Sequence, residues 1–91
     1  MYIAEFDESW EEHFNQLDDV MKERVTKKIG KILEFPEKRH LRKLDYFVDE
    51  VGPYRIIYRI FKSKNIVYFY LVLDHKAYEK WYKQNTIWIL F

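Results

Sequence analysis

The chain has 91 residues, no cysteine, a formal net charge of +1 and an aromatic fraction of 20%. This length suits one domain, residues 1–91, in which bulky rings bury much area. The absence of cysteine excludes a disulfide framework and a cysteine-ligated metal site. No long apolar run or leader-like segment is present, so we expect a cytoplasmic protein outside the membrane.

Acidic and basic residues are segregated along the chain, although their sum is small. Residues 1–19 contain seven acids and no lysine or arginine, whereas residues 22–43 contain nine bases and three acids. A basic block of this kind creates a local positive field. It is either a solvated helix face or a nucleic-acid footprint. The bases are Lys22, Arg24, Lys27, Lys28, Lys31, Lys38, Arg39, Arg42 and Lys43.

The first part of the chain predicts a short strand and two helices. Residues 1–6 are β-prone, and Ser9-Trp10-Glu11-Glu12 has the form of a capping box. Asp18 and Asp19 can interrupt the first helix and cap the second, which Pro36 ends because it has no amide hydrogen. Apolar residues recur at helical spacing. They are Trp10, Phe14, Leu17, Met21, Val25, Ile29, Ile32 and Leu33.

Three strands and a closing helix are predicted after a basic loop. Residues 44–51, 54–61 and 66–73 are rich in β-branched and aromatic residues, with turns at 52–53 and 63–65. The last of these strands is almost continuously apolar, which is typical of a central strand. The predicted class is α+β in the order β-α-α-β-β-β-α, with two N-terminal helices packed on a small, mainly antiparallel sheet.

The apolar C-terminal tail, residues 86–91, has more than one interpretation. It is either an added strand, a segment packed on its own domain, or a contact with a partner. Asp74 is the expected cap of the helix that precedes it. In that helix Tyr78, Trp81 and Tyr82 lie within one turn.

Two arginines interrupt the third strand. Because side chains alternate, Arg55 and Arg59 share a face that we expect to be the open side of the sheet. His75 and Lys76 follow the antiparallel neighbour and emerge near Arg55. These residues are either ordinary surface charge or a phosphate site, since arginine and lysine bind phosphate and histidine transfers protons near neutral pH. RNA cleavage by such a set needs neither a metal nor another cofactor.

The stretch Val51-Gly52-Pro53-Tyr54-Arg55-Ile56-Ile57-Tyr58-Arg59-Ile60 resembles the V-G-x-Y-R-h-h-Y signature of the RelE/ParE toxin superfamily. Leu73-Asp74-His75-Lys76 resembles the strand-end G-H-R element of the same superfamily. The resemblance covers roughly residues 3–83 and implies the RelE-like microbial ribonuclease fold. It implies the toxin of a type II toxin–antitoxin pair, neutralised by a cognate antitoxin.

The RelE-like branch cuts mRNA in the ribosomal A site through the 2′-hydroxyl, without a metal, and leaves a cyclic phosphate. The resemblance therefore implies a ribosome-dependent endoribonuclease with mRNA and the ribosome as further partners. The implied catalytic residues are Arg55, His75, Lys76 and a tyrosine, either Tyr78 or Tyr82, between which spacing does not decide. The expected RNA-binding residues are Arg59, Lys28, Lys31, Arg39, Arg42 and Lys43.

Two features depart from the family pattern. Asp49 and Glu50 stand where RelE relatives are often basic, and Lys76 lacks the bidentate fork of an arginine. Acids at these positions repel an RNA backbone, although one of them is also a candidate base. The alternative interpretation is a weak or inactive member that acts by binding, as a ParE-like gyrase inhibitor or a structural domain.

Overall fold

The computed structural model describes residues 1–37 and 46–90, the last six by their backbone alone. The observed order confirms the predicted β-α-α-β-β-β-α arrangement, and a short 3₁₀ turn joins the last two strands. The strands form one sheet in the order β1-β4-β3-β2. The elements are β1 (Ile3–Phe6), α1 (Trp10–Asn15), α2 (Asp19–Glu34), β2 (Phe47–Val51), β3 (Tyr54–Phe61), β4 (Ile66–Asp74) and α3 (His75–Leu90).

The almost continuously apolar strand β4 is central, as its sequence predicts. It pairs in parallel with β1 and antiparallel with β3, and β2 pairs antiparallel with β3 at the other edge. β2 begins at Phe47, later than expected, and predicted strand residues 44–45 lie outside the described part of the chain. Gly52 turns β2 into β3 with a φ of +56°, a conformation that favours glycine.

The main core lies between α1, α2 and one face of the sheet. Val25 and Ile32 are fully buried on the apolar side of α2, and Tyr58 and Phe69 are fully buried on the strands beneath. The Tyr58 hydroxyl donates a hydrogen bond of 2.7 Å to the carbonyl oxygen of Pro36. Burial, aided by the negative charge of Asp49, raises the pKa of Tyr58. The helical spacing of apolar residues in α2 therefore correctly predicts its buried face.

Of the two predicted helix caps, the structure confirms the one at Asp18 and not the one at Ser9. Asp18 accepts a hydrogen bond of 2.7 Å from the Met21 amide and caps α2, which confirms that prediction. The capping box at Ser9 is wrong, because Ser9 has helical torsion angles and makes no side-chain cap. Its hydroxyl instead donates to Asp7 Oδ2 at 2.6 Å, and its amide donates to the same oxygen at 3.1 Å.

Asp7 joins the start of the first helix to the central strand. Its second oxygen, Oδ1, accepts a hydrogen bond of 2.9 Å from the Tyr68 hydroxyl. The hydrogen bonds from Ser9, followed by that from Tyr68, lower the pKa of Asp7. The bond to Asp7 is the main reason that the pKa of Tyr68 rises to about 12.

α3 covers part of the sheet face that carries the arginines, so the expectation that this face is open is wrong. Ile57 on this face has no exposed surface. The Trp81 ring of α3 lies 5.3 Å, centroid to centroid, from Tyr46 beside β2, and Tyr46 lies 5.4 Å from Tyr70 of β4. The sheet is therefore covered on both faces near its centre, and the arginines lie at the margin of α3.

The backbone of residues 86–90 continues α3 to Leu90, so the added-strand interpretation of the tail is wrong. Phe91 lies outside the described residues. None of the helices in the described ranges is long and apolar enough to span a bilayer.

Candidate functional site

The candidate site lies at the end of the sheet where β3 begins and β4 ends. Tyr54 pairs with Asp74 and Arg55 with Leu73, so the strand arginine starts opposite the last residues of β4. Asp74 accepts a hydrogen bond of 2.8 Å from the Ala77 amide and caps α3. This cap fixes the direction in which the chain leaves the sheet. Arg55 and the first turn of α3 are thereby brought to the same end of the molecule.

Among the described residues, Arg55 contacts one side chain of α3, one of β2 and one backbone carbonyl of β3. Its guanidinium carbon lies 5.9 Å from the centroid of the Tyr78 ring, within the range of a cation–π contact. Its Nε lies 3.6 Å from Glu50 Oε1, and its Nη1 donates to the Tyr54 carbonyl oxygen at 3.4 Å. A guanidinium has five N–H donors, so several remain for a phosphate.

The two candidate tyrosines occupy different positions relative to Arg55. Tyr78 contacts both Arg55 and Tyr82, and the two tyrosine rings lie 6.1 Å apart between centroids. Both tyrosines line one cavity of about 260 Å³ together with Glu79 and Lys83. Tyr78 is therefore placed against the arginine, while Tyr82 extends the aromatic surface one turn further along α3.

His75 and Lys76 begin α3 and are both exposed. The imidazole Nε2 of His75 lies 3.2 Å from Glu79 Oε1, one helical turn away. The His75 side chain is 62% exposed. No carboxylate in the described ranges pairs with Lys76. These two residues place an imidazole and a cation at the edge of the candidate site.

The acids that depart from the family pattern lie on opposite faces of β2. Glu50 faces Arg55, whereas Asp49 faces α2, where its Oδ1 lies 3.9 Å from Lys28 Nζ. Asp49 therefore does not join the arginine site. Side chains alternate along a strand, so the sequence alone predicts that Asp49 and Glu50 point to opposite faces.

Arg59 lies two positions beyond Arg55 on the same strand face. Its guanidinium carbon lies 5.8 Å from the Tyr46 ring centroid and 5.2 Å from that of Phe61. It is thus packed between aromatic rings beside the site. Of the expected RNA-binding residues, Arg39, Arg42 and Lys43 lie outside the described part of the chain.

Lys28 and Lys31 line a second, basic cavity of about 240 Å³ between α2 and the β2–β3 turn. Arg24 and Lys27 also line it, and sequence reasoning assigned neither of them to a site. The Arg24 guanidinium packs against Gly52, because its Nη1 lies 3.2 Å from where a Cβ on that glycine would be. Glu50 lines this cavity and also pairs with Arg55, so the basic cavity and the arginine site adjoin.

Within residues 1–37 and 46–90, no three histidine or acidic side chains come close enough together to hold a metal ion. The site offers cations, an imidazole, the carboxylates of Glu50 and Glu79, and aromatic rings. Cations and aromatic rings suit a phosphodiester and its bases.

Comparison with solved structures finds the same fold in RelE toxins. A double mutant of the E. coli RelE toxin in the free state is 28% identical, with a TM-score of 0.75, covering 86% of this chain and 87% of that one. The toxin of the intact E. coli RelBE toxin–antitoxin complex is 25% identical, with a TM-score of 0.75 and coverage of 81% and 96%.

The Mycobacterium tuberculosis RelBE2 toxin–antitoxin complex shares the fold, with 22% identity, a TM-score of 0.72 and coverage of 81% and 98%. No curated protein sequence matches the chain at a significant level. Residues 2–78 match the model of a family described as the ParE toxin of the type II toxin–antitoxin system parDE. The chain therefore belongs to the RelE/ParE superfamily of type II toxin–antitoxin toxins and has a RelE-like fold.

Proposed function

We propose that this toxin is an endoribonuclease that cuts mRNA on the ribosome. The observation that carries the proposal is the convergence of Arg55, Tyr78 and the His75–Lys76 pair at one end of the sheet. These residues supply charge stabilisation, a stacking surface and a proton-transfer group. The likeness to RelE toxins at 25–28% identity supports the same branch of the superfamily.

In the proposed reaction the RNA attacks itself. The 2′-hydroxyl oxygen bonds to the adjacent phosphorus while the bond from phosphorus to the 5′-oxygen breaks. The 2′-hydroxyl proton passes to a base, and the departing 5′-oxygen takes up a proton. The products are a 2′,3′-cyclic phosphate and a 5′-hydroxyl end.

The groups of the site are assigned to this reaction as follows. Arg55 and Lys76 stabilise the negative charge that builds on the phosphate oxygens, a role usually worth about 10²–10³ in rate for one donor. His75 transfers a proton, because histidine is the side chain that most often serves as an acid or base in enzymes. Tyr78 stacks a base beside the cleaved bond, with Tyr82 as the next ring along the helix.

Glu50 competes with the RNA phosphate for the Arg55 guanidinium. Its carboxylate lies where a phosphate oxygen would approach the Arg55 guanidinium, at 3.6 Å from Nε. An RNA phosphate competes with this partly exposed pair for the guanidinium, and the pair is weak because water screens it. Glu50 then lies beside the bound phosphate, where it is also a candidate to take the 2′-hydroxyl proton.

The proposed partner is an antitoxin encoded with the toxin. The similar structures include toxin–antitoxin complexes from E. coli and M. tuberculosis, and the matched family is one of such toxins. We expect the antitoxin to cover the cationic end of the sheet and so neutralise the toxin.

The direct test is cleavage of a defined mRNA by purified protein, with and without programmed ribosomes, in the presence of a chelator. We expect cuts only on ribosomes, and none where the scissile nucleotide carries a 2′-deoxy sugar. A folded protein that arrests growth but leaves the mRNA intact would overturn the proposal.

Inhibition of gyrase is the second candidate. The description of the matched family as ParE toxins and the acid at Glu50 favour it. A supercoiling assay with the same preparation separates the two candidates, because only a ParE-like toxin blocks gyrase.

A further inference from the structure

A separate cavity of about 230 Å³ opens on the α1 side of the same end of the sheet. Its walls include Leu17, Val72 and Leu73, which are only 6%, 2% and 7% exposed. Known small-molecule sites share this plan of apolar walls with a few polar groups, and those for drug-sized ligands span about 300–1,000 Å³. This smaller space suits a single ring system.

The polar groups of this cavity come from three elements. His13 and Gln16 stand at the end of α1, Tyr54 begins β3 and Asp74 ends β4. The side chains of His13 and Gln16 make no hydrogen bond within the described part of the chain. Asp74 uses Oδ1 to cap α3, and none of the described residues donates to its Oδ2. Acceptors and donors are therefore available to a ligand.

The cavity lies at the same end of the sheet as the proposed catalytic residues. Tyr54 precedes Arg55 in β3, and Asp74 precedes His75 and Lys76. Tyr54 and Arg55 point to opposite faces of the sheet because side chains alternate along a strand, so the cavity opens on the face opposite the arginine. An RNA strand bound at Arg55 reaches this opening by passing around the end of the sheet.

We propose that the cavity binds one base of an RNA strand that passes around this end of the sheet and selects bases that carry an exocyclic amine. Asp74 Oδ2 and the Gln16 carbonyl oxygen accept from that amine, as acids do from cytosine and amides from adenine. The rings of His13 and Tyr54 offer surfaces for stacking. Uracil has no amine and leaves both acceptors unpaired. This inference rests on the proposed ribonuclease function, since it assigns a subsite to the same substrate.

Binding can be tested without any cleavage by NMR titration of the His13 and Tyr54 ring signals. The probes are AMP, CMP and UMP, with ribose 5-phosphate as a probe that has the phosphate but no base. We expect AMP and CMP to shift both rings, UMP to bind about fivefold or more weakly, and ribose 5-phosphate to leave them unmoved. Equal shifts with ribose 5-phosphate, or none with any nucleotide, overturn the proposal.

Three variants separate the subsite from general effects on the fold. Gln16→Leu removes an acceptor from an exposed position, and Ala77→Leu fills the cavity from α3. Asn15→Leu, an exposed neighbour outside the cavity, is the matched control. We expect the first two variants to reduce the AMP and CMP shifts several-fold and the control to behave as wild type. A control that loses binding equally contradicts the assignment.

Cut-site sequencing then distinguishes failure of the subsite from failure of the proposed function. If the protein cuts RNA with no preference against uracil, or Gln16→Leu leaves a preference unchanged, the subsite is wrong and the ribonuclease stands. If nucleotides bind as predicted and no RNA is cut, the subsite stands as a base-binding site and the ribonuclease function is wrong.

Discussion

Arg55 and Glu50 are direct partners across the β2–β3 hairpin, with 3.6 Å between Nε and Oε1. The pairing places the Glu50 carboxylate against Arg55, the cation to which the proposed reaction assigns the phosphate. It follows from the tight turn at Gly52, which sets Glu50 opposite Arg55 in the antiparallel register. The candidate site is therefore already charge-compensated before RNA arrives.

Replacement of Glu50 by glutamine should strengthen RNA binding. The change releases Arg55 from a partly exposed ion pair worth at most about 1 kcal/mol, which corresponds to a gain of up to about fivefold in affinity. Fluorescence anisotropy with an oligonucleotide that carries a 2′-deoxy scissile nucleotide measures binding alone. Glu37→Gln, remote from the site and paired with Lys62, is the matched control. Weaker binding by Glu50→Gln would contradict the competitor role.

The basic cavity of α2 should contribute to the salt dependence of RNA binding. Lys31→Ala removes one cation from the cavity lining, and each lost phosphate contact lowers the slope of log affinity against log salt by about 0.7 for a single strand. Lys64→Ala, in the exposed turn between β3 and β4, is the control and should leave the slope unchanged. Equal slopes for the two variants would exclude Lys31 from the interface.

Tyr58→Phe should destabilise the fold without touching the candidate site. The variant removes the hydrogen bond to Pro36 and leaves a buried carbonyl oxygen unpaired, at a cost of about 1–3 kcal/mol. Urea denaturation of the two proteins measures the change. Tyr70→Phe, on the other sheet face, is the comparison and should lower the unfolding free energy less. Unchanged stability in Tyr58→Phe would mean that water satisfies the Pro36 carbonyl.

The hydrogen bonds that Asp7 accepts from Ser9 and from Tyr68 should give stability a dependence on pH at both extremes. The pKa of Asp7 is lowered from 3.8, so its contribution is complete above that value and is lost as pH falls through the folded pKa. The pKa of Tyr68 is raised from 10.0 to about 12, so its contribution is complete below pH 10 and is lost towards pH 12. Urea midpoints across pH should fall in both windows.

Tyr68→Phe should flatten the alkaline fall, and Asp7→Asn should flatten both. Tyr82→Phe serves as a control for general alkaline unfolding. An alkaline fall of equal size in Tyr68→Phe and wild type would show that this tyrosine does not carry the effect.

Local sequence patterns predict much of the fold, and the structure confirms them. The apolar run of β4 predicts its central place, and the spacing of Val25 and Ile32 predicts the buried face of α2. The alternation in β3 places Arg55 and Arg59 on one face, and both lie there. These features depend on periodicity alone, which a single sequence displays.

Other features depend on competition between neighbours, which periodicity does not display. Ser9 begins a sequence of capping-box form, yet its hydroxyl and its amide both donate hydrogen bonds to the Asp7 carboxylate two residues earlier. The apolar sequence of the tail is compatible with a strand as well as a helix, and in the structure its residues 86–90 continue helix α3. The cover that α3 gives the arginine face follows from packing of Trp81 on Tyr46, residues far apart in sequence.

The central claim is that Arg55 holds the phosphate that is cut. The most direct measurement is the single-turnover rate of mRNA cleavage on programmed ribosomes for wild type, Arg55→Ala and the remote control Lys64→Ala. The account predicts that Arg55→Ala cuts about 10²–10³-fold more slowly at unchanged folding stability, while Lys64→Ala cuts at the wild-type rate. Cleavage by Arg55→Ala at the wild-type rate would contradict it.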